Sequence, residues 1–314
     1  MELGHVVVLA GGLSYEREVS LRSGRRVADA LRALDISVEI RDTDATLLDS
    51  LTDDPPDAVF PVLHGAAGED GSIREILELL GVPYVGARPD ACRVAWDKPT
   101  AQSVVRRAGL RTPDSVAFPK EVFHDLGASA VLDLIISRLG LPLFVKPTRG
   151  GSALGASAVY DASDLSAAMV GCFAYGDAAL VEEYITGTEV AVSVIERDGA
   201  PTALPAVEIV APGGRYDYTA RYDAGDTTFV TPARLSPEAM AGATEAAVTA
   251  HRALGLRSLS RTDLIVSPDG EVYFLEVNVA PGMTETSLFP RAISGADLDL
   301  GEVCRDLLMD CIDN

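Results

Sequence analysis

Residues 261–278 constrain this chain more than any other stretch. Arg261-Thr262-Asp263-Leu264-Ile265-Val266 and Glu271-Val272-Tyr273-Phe274-Leu275-Glu276-Val277-Asn278 flank Ser267-Pro268-Asp269-Gly270. Pro presets φ and Gly supplies a positive one, so the pattern predicts a hairpin. Side chains alternate along a strand, so Arg261 shares a face with Asp263, and Glu276 with Asn278. Antiparallel pairing about the turn puts Asp263 nearly opposite Glu276. Two carboxylates, an amide oxygen and a guanidinium then meet on one patch. An all-oxygen set without Cys or His suits Mg²⁺, with phosphate oxygens and water completing the shell. Arg261 suits an anion. The competing reading is an exposed polar face on a hairpin whose other face carries Tyr273, Leu275 and Val277. The pairing of anion binder with metal ligands favours the metal reading.

Around this hairpin the chain reads as α/β. Strands are expected at 5–10, 38–41 and 58–63. A helix after Gly11-Gly12 carries Val27, Leu31 and Leu34 on one face, and another covers 73–80. Such alternation predicts a parallel, Rossmann-like sheet. Ligands of such a sheet sit beyond the carboxyl ends of its strands, where 11–18 and 64–71 fall. Further on, a helix is expected from Asp97 to 110. Strands follow at 143–146, 156–160, 180–185 and 190–195, and a long loop covers 212–234. Helices close the pattern at 236–254 and 301–312.

Three further segments carry candidate chemistry. Lys146 ends a strand before Pro147-Thr148-Arg149-Gly150-Gly151-Ser152-Ala153-Leu154-Gly155. Glycines let backbone N–H groups approach phosphate, and the lysine adds charge. A solvated turn is the competing reading, and the GxxxxGK[ST] loop is absent. In Gly11-Gly12-Leu13-Ser14-Tyr15-Glu16-Arg17-Glu18, Glu16 either favours a helix N-terminus or faces the cleft to bind a cationic group. His64 ends a strand amid glycines, which suits function and structure equally.

Composition narrows the classes. Lys plus Arg is 26 and Asp plus Glu is 47, a formal net charge of −21. Such acidity argues against a nucleic-acid partner. No apolar run reaches membrane-spanning length, and the start lacks the basic flank of a secretory signal. Cys92, Cys172, Cys304 and Cys311 form no CxxC and read as reduced cytosolic thiols. No Gly-x-Ser-x-Gly elbow supports nucleophilic side-chain catalysis.

Taken in order, the segments resemble the D-alanine–D-alanine ligase family of ATP-grasp enzymes. The matching stretches are GGLSYEREVSLRSG, LHGAAGEDGSIREILELLGVPYVG, DKPTAQ, LFVKPTRGGSALGAS, VEEYITGTEVAV, YDYTARYDAGDTTFVTPA and RTDLIVSPDGEVYFLEVNVAPGMTETSLFP. The resemblance implies an α/β chain, α+β overall. A Rossmann-like N-terminal subdomain (1–95) would precede a two-subdomain ATP-grasp fold, central (96–183) and C-terminal (184–314). It implies that Lys98, Lys146 and Arg221 contact ATP phosphates, Arg221 standing where a lysine is usual. Glu182, Tyr184 and Ile185 would line the adenine slot, and Glu189 would take the ribose. Asp263, Glu276 and Asn278 would hold two Mg²⁺ ions, with Mn²⁺ a possible substitute. Glu16 would bind the first D-alanine's ammonium beside His64. Arg261 and the Gly282 N–H would form the oxyanion site, and Ser287 and Leu288 would receive the second D-alanine. Ser152 and Tyr222, joined to Glu16, would clamp a lid over 212–234. The family reaction joins two D-alanines through a D-alanyl phosphate for peptidoglycan precursors, in a cytoplasmic homodimer. Two alternatives are a related ligase with another acceptor, in specialised metabolism or antibiotic resistance, and a nucleotide-binding protein without turnover. Tyr222 favours D-alanine over D-lactate by the same resemblance.

Overall fold

A computed structural model describes residues 3–197, 199–211 and 227–313. Three sheets organise them. In the first, β1 (His5–Leu9), β2 (Ser37–Arg41) and β3 (Ala58–Pro61) run parallel in the order β2-β1-β3. The crossovers are α1 (Arg17–Arg32) and α2 (Leu47–Asp53). From Val6 to Leu9, β1 is continuously buried and apolar, as a strand covered on both faces should be. Helix α1 lays Val27, Ala28 and Leu31 on the sheet.

Gly24 sets how closely α1 approaches. A Cβ there would stand 2.4 Å from the Ala10 Cβ. Gly24→Ala is expected to lift the helix and destabilise the fold by about 1–3 kcal/mol. Urea unfolding reads this directly, and an unchanged midpoint would contradict the packing.

After β3 come α3 (Ala66–Glu69), α4 (Ser72–Leu80), α5 (Pro89–Trp96) and α6 (Lys98–Arg107). The Asp97 carboxylate caps α6 by accepting from the Thr100 N–H at 3.2 Å. The second sheet is antiparallel, of order β4-β7-β5-β6. It comprises β4 (Ser115–Pro119), β5 (Leu143–Pro147), β6 (Ser157–Val159) and β7 (Ala178–Glu183). Helix α7 (Lys120–Leu126) packs Val122 and Phe123 against its core, to which α8 (Ala128–Leu139) and α9 (Leu165–Phe173) supply Val131, Ile135, Leu165 and Met169.

The third sheet contains β8 (Thr188–Arg197), β9 (Ala200–Ala203), β10 (Val207–Val210), β11 (Thr228–Val230), β12 (Leu259–Val266) and β13 (Val272–Asn278). Its order is β11-β10-β8-β12-β13, with β9 paired to β8. Helix α10 (Pro237–Ala253) packs an alanine stripe, Ala239, Ala243, Ala246 and Ala250, into the core beneath it. The loop expected over 212–234 is corrected here: Thr228–Val230 pairs with β10, Phe229 opposite Ile209. Those β-formers sit beside Gly- and Asp-rich sequence that hides them from periodicity. Residues 212–226 lie outside the described ones.

Helix α11 (Leu288–Gly295) follows the third sheet, and α12 (Leu300–Asp313) returns to the first. Val303, Leu307 and Leu308 share one core with Val27, Leu31 and Phe60. Cys92, Cys172 and Cys304 are buried, Cys311 is partly so, and all are free thiols. Among the described residues no helix is long and apolar enough to cross a membrane.

Candidate active site

The hairpin forms the floor of the site. Arg261 pairs with Asn278 and Asp263 with Glu276, so the four side chains emerge on one face. A bulge between Asp263 and Leu264 then moves the pairing to Leu264 with Phe274. That shift corrects the apolar face expected from 273, 275 and 277. Val277 enters the core as expected, Phe274 joins it in place of Tyr273 and Leu275, and Leu275 stands with Glu276 on the cavity wall. Arg261 donates through Nε at 2.7 Å and Nη2 at 2.8 Å to the two oxygens of Asp263. Both residues are buried. Glu276 Oε2 stands 3.5 Å from Lys98 Nζ, and Asn278 Oδ1 accepts from the Ala280 N–H at 2.7 Å. Each carboxylate thus faces a cation of the chain itself. Among the described residues no three His, Cys, Asp or Glu gather as a metal site; the set here is two carboxylates and an amide.

A cavity of about 560 Å³ is lined from the second and third sheets. Its charged end holds Lys98, Lys146, Glu182, Asp263 and Glu276. Its other end carries Phe144, Tyr160, Tyr184, Ile185 and Ile265, with Glu189 on the rim of β8. The Tyr184 ring lies 5.6 Å from that of Tyr160 and 6.4 Å from that of Phe144. A flat heteroaromatic group fits the apolar end, and phosphates accompanied by a divalent cation fit the charged end, where three carboxylates face two lysines. Lys146 Nζ donates to Glu182 Oε2 at 2.8 Å, and Gln102 Nε2 donates to the other Glu182 oxygen. Burial opposes the Lys146 charge, but Glu182, Glu276 and Asp263 outweigh it and hold its pKa above the ordinary value.

The glycine-rich loop joins this cavity to the first sheet. Lys98 Nζ donates to the Gly150 carbonyl at 2.6 Å. The Ser152 hydroxyl donates to Glu16 Oε1. Ser152 and Ala153 both take φ +55°, a left-handed conformation that strains side-chain-bearing residues by roughly 1–3 kcal/mol each. The loop is therefore held in place by its contacts rather than by its own preference.

Glu69 is a residue that the sequence reading missed. It is buried, and one oxygen accepts the Gly65 N–H at 2.9 Å. Burial, and then the negative charge of Glu16, push its pKa up to about 8. The unfolded chain releases this proton near 4.5, so the stability it contributes is complete below that pH and is lost as pH rises towards 8. Glu69→Gln removes this slope. Its stability relative to the parent should rise by roughly 2–4 kcal/mol between pH 5 and pH 8. Thermal unfolding at the two values tests this, and a pH-independent difference would reject it.

The remaining predicted residues lie where the first sheet meets the segment after β13. His64 is buried, with Nδ1 3.0 Å from the Ala280 carbonyl. The Ser287 hydroxyl accepts from the Thr284 N–H at 3.0 Å. A Cβ on Gly282 would stand 2.7 Å from Ser287 Oγ, so Gly282 abuts that hydroxyl. Leu288 opens α11 and is buried in the first core. Arg221 and Tyr222 lie outside the described residues. Besides Glu69, the sequence reading missed Gln102, Arg74 and Ser23. Arg74 is fully buried and reaches the Gly68 carbonyl and, at 3.4 Å, that of Val279. Ser23 breaks the apolar stripe of α1, a signal that periodicity could have flagged.

Comparison with known proteins agrees with this geometry. The family models described as D-ala D-ala ligase C-terminus and N-terminus match residues 104–309 and 39–87. A D-alanine–D-alanine ligase of Anaeromyxobacter sp. is 42% identical over 304 residues, 96% of this chain and 95% of that relative. The VanG D-Ala:D-Ser ligase structure from Enterococcus faecalis superposes with TM-score 0.82 at 31% identity, covering 98% of this chain and 99% of that one. A Bacillus anthracis D-alanine–D-alanine ligase complexed with ATP gives TM-score 0.81 at 27% identity, covering 98% and 97%. The family resemblance read from the motifs holds along nearly the whole length, and the chain belongs to the D-alanine–D-alanine ligase family.

Proposed function

We propose that the protein joins two D-alanines at the expense of ATP, for peptidoglycan precursor synthesis. The observation that carries this is a cavity with an apolar slot and a charged end bearing two lysines, whose wall residue Asp263 is held by Arg261 and whose glycine-rich loop is tied through Ser152 to Glu16. In this reading Tyr184 and Ile185 hold the adenine, Glu182 and Glu189 the polar edges of the nucleoside, and Lys98, Lys146 and Arg221 the phosphates. Glu16 takes the first D-alanine's ammonium, with Ser287 and Leu288 at the acceptor.

The chemistry follows from what a carboxylate lacks as an acyl donor. Its oxygen attacks the γ-phosphorus of ATP, ADP leaves, and an acyl phosphate forms. The second amine then attacks the acyl carbon and phosphate leaves. Arg261 and the Gly282 N–H hold the oxyanion of that step. The all-oxygen set Asp263, Glu276 and Asn278 fits Mg²⁺, which when bound offsets charge on the phosphates. Ser152, and Tyr222 in the expected lid, keep water from the acyl phosphate. Two Mg²⁺ ions, a cytoplasmic homodimer and the division at 95 and 183 belong to the same proposal and rest on the family resemblance.

Purified protein with ATP, Mg²⁺ and D-alanine should release phosphate and form the dipeptide in equal amounts. No phosphate release with any D-amino acid would reject the reading. The likeness to a D-Ala:D-Ser ligase motivates one competition: D-alanine against D-serine and D-lactate, resolved by mass spectrometry. Preference for either rival would move the acceptor assignment and leave the donor chemistry intact.

A further inference from the structure

We propose that Ser23 is a positioning residue for the acyl-transfer step: with His64 it closes a hydrogen-bond ring that fixes the backbone of residues 280–283 and so aims the Gly282 N–H. This rests on the reading of Gly282 as an oxyanion donor.

Two serines interrupt the buried face of α1, and both are fully buried. Ser20 serves its own sheet: its hydroxyl accepts from the Gly11 N–H at 2.9 Å and donates to the Val62 carbonyl at 2.8 Å. Ser23 has partners elsewhere. Its Oγ accepts from the Met283 N–H at 3.0 Å and lies 3.5 Å from His64 Nε2. His64 Nδ1 lies 3.0 Å from the Ala280 carbonyl.

With a neutral imidazole these contacts admit one direction. A carbonyl only accepts, so His64 Nδ1 carries the hydrogen and donates to Ala280. Nε2 is left with its lone pair. The Ser23 hydroxyl donates to Nε2, and its oxygen accepts from Met283. The ring thus takes hold of residues 280 and 283, one on each side of Pro281-Gly282. Such a ring needs a neutral imidazole. Burial holds the His64 pKa below its ordinary value, with Glu16 and Arg261, of opposite sign, as the charged groups acting on it.

The geometry also redefines His64. Both ring nitrogens are engaged by the chain, so its part in the reaction is to hold the oxyanion loop. Asn278 ties the same loop to β13 through the Ala280 N–H. Helix α1, which begins beside Glu16, is thereby coupled to the loop that would receive the oxyanion. An oxyanion donor must stand within hydrogen-bond distance of where charge develops, so a few tenths of an ångström matter. Without the Ser23 hydroxyl, the buried Met283 N–H loses its acceptor.

The test compares Ser23→Ala and Ser23→Thr with the parent enzyme. Ser23→Ala should fold with a melting temperature within a few degrees. Its kcat for dipeptide synthesis should fall at least about tenfold while KM for ATP stays within about twofold. A dipeptide phosphinate, which mimics the tetrahedral adduct, should bind at least about tenfold more weakly, with D-alanine binding little changed. Ser23→Thr keeps the hydroxyl and should recover most of kcat. Unchanged turnover and phosphinate affinity in Ser23→Ala would overturn the proposal. So would a uniform loss in which KM for ATP rises as steeply, since that marks a packing role. If Ser23→Ala does not fold, imidazole ¹⁵N shifts of the unaltered protein decide. The neutral Nδ1–H form of His64 at pH 7 supports the ring, and an Nε2–H form or an imidazolium overturns it. A parent enzyme that makes no dipeptide would instead remove the functional reading, and the tautomer result would stand by itself.

Discussion

Glu276→Gln should lower kcat/KM for ATP by on the order of 10³-fold, about 4 kcal/mol of transition-state stabilisation, while leaving the fold intact. Glutamine keeps the shape and one oxygen donor but removes the charge. In the structure that charge faces Lys98 at 3.5 Å and, across the hairpin, lies opposite Asp263. The charged end of the cavity sets three acids, Glu182, Asp263 and Glu276, against Lys98 and Lys146, with Arg261 paired to Asp263. Removing one acid leaves the triphosphate with cations but weakens the oxygen set that fits a divalent ion. The deficit should therefore shrink as Mg²⁺ is raised, because weaker binding is partly overcome by mass action. Glu276 is only partly buried, so the loss of stability should stay within about 1 kcal/mol. Steady-state kinetics across a Mg²⁺ series, with circular dichroism for the fold, checks both parts. Near-parent turnover at low Mg²⁺ would sink the metal assignment.

What could be read beforehand followed the range of the interaction. The 261–278 hairpin was legible because its turn chemistry and its alternation are local, and the Asp263–Glu276 pairing came from those two facts. The bulge after Asp263 was not, since it is a property of two strands packed on a core and has no code of its own. Strands 5–10 and 58–63 were legible as apolar runs before glycine. Ala128–Leu139 was not: Val131, Leu132, Leu134, Ile135 and Ile136 blur any stripe, and Leu134 remains mostly exposed. Among site residues, Lys146 was legible as the lysine that ends a strand before a glycine-rich loop; Lys98, Glu182 and Glu189 carried no local signal and came from the resemblance, and the cavity brings all four together. Glu69 was hidden because its proton depends on burial and on Glu16, 53 positions earlier in the chain. Ser23 marks itself locally by interrupting an apolar stripe, but its role was hidden because its partners Met283 and His64 are distant in sequence.

Arg261→Ala should show two effects that separate this residue's two partners. The first is kinetic. If its guanidinium meets the tetrahedral oxyanion, its loss should lower kcat by about 10²–10³, or about 3–4 kcal/mol. The second is thermodynamic and needs no turnover. Arg261 holds Asp263 through both carboxylate oxygens, at 2.7 and 2.8 Å, and both groups are buried. Removing the guanidinium leaves a buried carboxylate without that partner, a loss of about 3–5 kcal/mol in comparable pairs. The variant should therefore melt well below the parent in the absence of nucleotide. A divalent ion with a non-hydrolysable nucleotide then offers Asp263 a new cation, so the variant should gain more melting temperature than the parent when both are added. Arg261→Lys should restore part of the stability but little of kcat, because an ammonium lacks the two-pronged geometry. Equal ligand-induced shifts in Arg261→Ala and parent would mean that the guanidinium and the ion do not share Asp263. A kcat within a few-fold of the parent would mean that the oxyanion is held by other groups.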